Sequence, residues 1–166
     1  MAAIQALITG KSATPNAKPT FDFTAHGAVA GFSFSAGQYA TFQVLAQAFE
    51  DTGVRAYTGQ APRLINDKAV LTAALTIHSV EARHASEVRR LRGLKGWITG
   101  ASRDDLPSFT QPIYDGEDNV LQGTVDVSQL SLTASNGGTP AATQAFDEPL
   151  TKDQVTAIVL PFIASS

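Results

Sequence analysis

With 166 residues, 43% of them hydrophobic, the chain has enough material for one domain with a real core and room for a tail. Its 12 basic and 15 acidic side chains leave a formal charge of −3, so electrostatics point neither to nucleic acid nor to an anionic membrane as a partner. There is no cysteine, which excludes disulfides and thiolate metal sites and leaves His, Asp and Glu as the strong side-chain ligands.

The opening "AAIQALITG" reads as the last turns of a helix closed by Gly10, with Pro15 just beyond. "MAAIQALITGKS" lacks both the basic and the apolar regions of a secretory signal, and no apolar run reaches the roughly 18 residues that span a bilayer. No membrane partner is expected, and localisation stays open. From Lys11 to Gly37 the text is rich in Gly, Ala, Ser, Thr and Pro, interrupted by "FDF" and "FSF". Such aromatics can anchor a long irregular loop onto a helical surface, and His26 within it carries no readable signal.

Phe42, Ala46, Phe49, Gly53 and Tyr57 follow helical spacing until "GQAP" ends the pattern, which predicts a helix over about 38–58. Asn66 or Asp67 can cap a second helix over about 67–92, with Gly93 as its stop. So short a connection predicts an antiparallel hairpin. In the second helix Val70, Ala74, Ile77, Glu81, His84, Val88 and Leu91 share one stripe, so a carboxylate and an imidazole occupy places where a core should be. Arg89, Arg90 and Arg92 near its end suit the helix dipole.

Beyond Gly100 the sequence is full of turn formers with short β-like runs, read as an extended tail. "TKDQ", Thr151 to Gln154, matches a capping box opening a short apolar helix over about 151–163, which Pro161 bends or ends. Residues 1–100 thus group as a helical unit and 101–166 as the tail.

Glu81-Ala82-Arg83-His84 puts a carboxylate and an imidazole one helical turn apart, and Glu50 on the preceding helix adds a third oxygen donor on the same apolar stripe. Mixed oxygen and nitrogen sets of this kind hold iron and manganese. The plain alternative is a satisfied buried ion pair of Glu with His or Arg. Tyr57 is placed to hydrogen-bond a ligand carboxylate, although a packed ring with its hydroxyl at the edge is its ordinary role. His78, one position past Ile77, flanks the core and is a candidate to support the ligands from behind. Asp51 and Glu87 fall off the stripe and are expected in water.

"YATFQVLAQAFEDTGVRAYTGQAPRLI", "AALTIHSVEARHASEVRRLRG" and "AFDEPLTKDQVTAIVLPFI" resemble the second half of bacterial ferritin-like domain proteins, the branch that includes plant desiccation-related proteins. The resemblance implies a mainly α fold, in which the antiparallel hairpin forms half of a ferritin-like four-helix bundle. It also implies a metal site in which Glu50 stands for the family's third-helix Glu and Glu81 with His84 for its fourth-helix Glu-x-x-His. Iron or manganese would be the cofactor, and members of the family are often exported. The family's first two helices, carrying a further Glu and a further Glu-x-x-His, would precede this stretch. The remaining ligands are therefore expected from a second subunit, in a homodimer or larger assembly, or from a part of the protein missing through truncation or processing. The alternative function is a structural, assembly or stress-protective protein that has lost the metal site.

Overall fold

Both periodic stretches fold as long helices in a computed structural model of the chain, which describes residues 6, 8–12, 14 and 16–164. Helix α1 spans Tyr39–Gln60 and α2 spans Lys68–Leu91, joined by the 3₁₀ turn Ala61–Leu64 into the expected hairpin. Asp67 caps α2 by accepting a hydrogen bond from the Val70 amide at 3.3 Å. Gly93, at φ +76°, turns the chain out of it. Residues 8–10 are helical, and the turn after them ends at Ser12 (φ 55°) rather than at Gly10; Pro15 lies outside the described residues. Among the described residues no helix is long and apolar enough to cross a membrane.

The segment after Gly100 is a strap over the hairpin. It runs through the 3₁₀ turn Ser108–Ile113, a two-stranded ribbon (β1, Leu121–Gln122; β2, Val125–Asp126) and three short helices: α3 (Ser131–Ser135), α4 (Thr139–Thr143) and α5 (Lys152–Val159). Helices α3 and α4 were hidden in the sequence, because five-residue helices among Ser, Thr, Gly and Pro have no detectable period. The Thr151–Gln154 capping box forms as expected, and Pro161 sits in the 3₁₀ turn Leu160–Phe162 that follows α5.

Helix α1 is the hub. On one side Ala48 joins Ile98, Leu106, Ile113 and Tyr114, with Ile158 of α5 packed against them. On another, Leu45 joins Ala25, Phe32 and Phe162, with Phe23 and Phe49 alongside. The loop aromatics of "FDF" and "FSF" thus reach α1 and the end of the strap. Backbone pairing ties the two ends of the chain, since the Asp22 amide donates to the Phe162 carbonyl and the Ala164 amide to the Thr20 carbonyl, each at 2.9 Å. At Gly59 the strap passes so close that a Cβ would lie 1.9 Å from the Leu150 carbonyl oxygen, so only glycine fits there.

The polar contacts between hairpin and strap correct one expectation. Asp51, expected in water, is 3% exposed. Arg89, in the last turn of α2 as expected, is 2% exposed. Its guanidinium donates to Asp51 Oδ2 at 2.8 Å and to Asp104 Oδ2 at 2.9 Å. The Tyr114 hydroxyl donates to the same Asp51 oxygen at 2.7 Å. The apolar stripe of α2 is not its seam, so a position off the stripe can still be buried. The true seam of α2 is rotated towards Ala74, Ala85 and Arg89, its buried residues. Glu87 does remain in water, with its side chain 62% exposed.

Replacing Arg89 by Ala leaves Asp51 buried without its cation and is expected to cost roughly 3–5 kcal/mol in equilibrium denaturation. Arg90→Ala, at a side chain 71% exposed, should stay within about 0.5 kcal/mol. Equal effects of the two would contradict the buried pair's role. Deleting residues 145–166 removes Leu150 and Phe162 from the core and should lower the denaturation midpoint or change the oligomeric state.

Candidate metal centre

Glu50 projects from the middle of α1, and Glu81 and His84 project one turn apart from α2. The hairpin brings the three together, with a ligand atom of each within 4.8 Å of the others. His84 Nδ1 lies 3.4 Å from Glu50 Oε2 and 3.8 Å from Glu81 Oε2. The two carboxylate side chains are 25% and 28% exposed and the imidazole 56%, so the cluster is closed from behind by the helix pair and open in front.

Glu50 Oε2 is buried yet accepts no hydrogen bond among the described residues, because the His84 contact has the distance of an ion pair without hydrogen-bond geometry. Burial, then hydrogen bonding with and repulsion by the Glu81 carboxylate, and lastly repulsion by Asp51, push the Glu50 carboxyl up to about 8. An orphaned carboxylate oxygen beside a second carboxylate needs positive charge, from a proton or from a cation. Two oxygen donors and one imidazole fit iron or manganese, and the absence of thiolate fits them equally.

Of the supporting residues, Tyr57 is half-buried, and its phenol is pushed up by burial and then by the charge of Glu81. It makes no hydrogen bond to the three side chains among the described residues. His78 is outside the group. Its Nδ1 is buried without a hydrogen-bond partner among the described residues. Sequence reasoning missed the neighbourhood behind Glu50, where Asp51 points away into the Arg89 and Tyr114 network. A run of Glu-Asp followed 38 residues later by an arginine on the partner helix carries no readable signal.

A family model described as the ferritin-like domain matches residues 1–94. The chain belongs to the ferritin-like domain family. The match covers the hairpin and all three clustered side chains and ends just past Gly93, so the whole strap lies beyond it. No curated protein and no solved structure matched the chain.

Because the folded state raises Glu50 above the ordinary carboxylate range, it favours the protonated form. The stabilisation this gives is complete in acid and is lost as pH rises through about 8. In a chelator, the denaturation midpoint of the wild type should therefore fall between pH 6 and pH 9.5 more steeply than that of Glu50→Gln. Parallel profiles would show that Glu50 is not the group responsible.

Proposed function

We propose that this ferritin-like protein binds iron or manganese through Glu50, Glu81 and His84. The observation that carries the reading is the buried, unpartnered Glu50 oxygen held against a second carboxylate and an imidazole. Among the described residues no other His, Asp or Glu joins the group, so a bound metal would need further donors from water or from elsewhere. The bacterial desiccation-related branch and the half-bundle are the finer assignments we favour, on the strength of the three sequence phrases that resemble it.

A bound iron or manganese supplies Lewis-acid and redox chemistry. The chain's own part is positional. Helix α1 fixes the Glu50 carboxylate, α2 fixes Glu81 and His84 one turn apart, and the half-buried setting strengthens each charge interaction by limiting water. Tyr57 near Glu81 and Asp51 behind Glu50 set the local field. Below pH 8 the proton held by Glu50 competes with the metal, so affinity rises with pH.

A second reading has its own observation. His84 contacts both Glu50 and Glu81, so the three side chains form a self-contained ionic cluster of the kind a structural or stress-protective bundle would keep after losing its chemistry. Elemental analysis after loading with iron(II) or manganese(II) and desalting separates the two. Under the metal reading, the wild type retains metal, His84→Ala loses it, and Glu87→Gln one turn away retains it. Under the structural reading the wild type retains none, and the double variant Glu81→Gln, His84→Gln is as stable as the wild type or more so.

A further inference from the structure

We infer that two copies of this chain pair through their straps, the Trp97 indole of each seated in an acid-rimmed apolar cleft on the other. Neither surface involves Glu50, Glu81 or His84.

The cleft encloses about 430 Å³ between the 3₁₀ turn Val127–Gln129 and helices α3 and α4, lined by Val127, Leu130, Leu132, Ala141, Ala142 and Phe146. Leu132 is 73% exposed, and Leu130 and Phe146 are also open to water. The polar groups in the lining are committed to backbone, since the Thr133 hydroxyl donates to the Val127 carbonyl at 2.6 Å and the Asn136 amide to the Leu132 carbonyl at 2.7 Å. What enters is therefore largely apolar.

Charge narrows the choice. Between Arg103 and Lys152 the chain has eight acids and no lysine or arginine. Asp104, Asp105 and Glu117 are paired with arginines, but Asp126, just before Val127, and Asp147, just after Phe146, flank the cleft in exposed positions. The matching occupant is an apolar group with cationic neighbours.

That chemistry stands beside the cleft on the same chain. Trp97, the one tryptophan, is 53% exposed, with Lys95 exposed two residues before it and the aliphatic stem of Arg90 against Gly96. Trp97 and Asp147 line one small cavity of about 50 Å³, so the indole lies next to its own copy's cleft without filling it. The Gly100 amide donates to the Thr143 hydroxyl at 2.9 Å and the Gln144 side chain to the Thr99 hydroxyl at 2.8 Å, which fixes the two patches side by side. Adjacent complementary patches suit a two-fold contact, because each meets its counterpart across the axis. A buried tryptophan is a strong interface anchor, and the lysine against the acidic rim sets orientation more than strength. Trp97, Lys95 and the cleft all lie beyond residue 94, where the ferritin-like match ends.

The single tryptophan makes the test direct. As the concentration of the 166-residue chain is raised in chelator, Trp97 emission should move to shorter wavelength in step with dimer formation in sedimentation velocity, and added salt should weaken both. Leu132→Glu and Trp97→Ala change exposed side chains, so each should keep the wild-type circular dichroism yet associate at least about tenfold more weakly on its own. Mixed together they should pair through one restored contact, because the Leu132→Glu copy still offers Trp97 and the Trp97→Ala copy an intact cleft. The only tryptophan in that mixture should then shift to the blue. A wild type that stays monomeric with unshifted emission overturns the pairing, as does a Leu132→Glu variant that dimerises like the wild type. Unshifted emission on mixing overturns the seating of Trp97 in the cleft even where the wild type dimerises.

Discussion

The ion pair between Arg89 and Asp51 is the contact on which the rest of the structure depends. It joins α2 to α1 at the seam, and through Asp104 and the Tyr114 hydroxyl it also fastens the strap to the hairpin. Burying an arginine and an aspartate costs several kcal/mol per ion unless every lone pair and proton finds a partner. Here Asp51 receives Arg89 at both oxygens and Tyr114 at one, while Arg89 stacks over the Tyr114 ring at 5.7 Å. The same burial and the charge of Asp51 push the Tyr114 phenol far up, which keeps it a donor to Asp51.

A second clamp repeats this logic along α1. The Arg55 side chain, 2% exposed, pairs with Glu117 at 2.6 Å and donates to backbone carbonyls of Ile113, Asp115 and Glu148. One guanidinium thereby gathers two separated stretches of the strap onto one helix, which a lysine's single ammonium point could not do. The strap has few regular elements of its own. Its place is set by Arg55 of the hairpin donating to irregular backbone, together with the apolar anchors Leu106, Ile113, Leu150 and Phe162.

This explains what was legible in the sequence. Both long helices, the Asp67 cap, the Gly93 stop and the Thr151 capping box rest on local rules of spacing and capping, which a single sequence displays. The grouping of Glu50, Glu81 and His84 was legible for the same reason, since helical spacing and a short connection bring the three to one place. The burial of Asp51, Arg55, Arg89 and Glu117 depends on contacts between residues 15 to 93 positions apart, and no local pattern encodes those. The seam of α2 lies a fraction of a turn from its apolar stripe because it is built of Ala74, Ala85 and Arg89, while larger apolar side chains line the neighbouring groove.

That rotation also accounts for the polar residues on the apolar stripe. Among the acids in contact with arginine, Asp51, Asp104, Asp105 and Glu117 each have a guanidinium nitrogen at 2.5–2.9 Å. Glu50 and Glu81 have instead one imidazole between them, at 3.4 and 3.8 Å. Asp51 and Glu50 are adjacent in sequence but point to different sides of α1, one into a neutralised seam and the other into a groove short of positive charge. A chain selected only for a stable hairpin would place apolar residues or an arginine on that groove. Two half-buried carboxylates left with a single imidazole form a local charge deficit, which a proton on Glu50 or a bound cation removes.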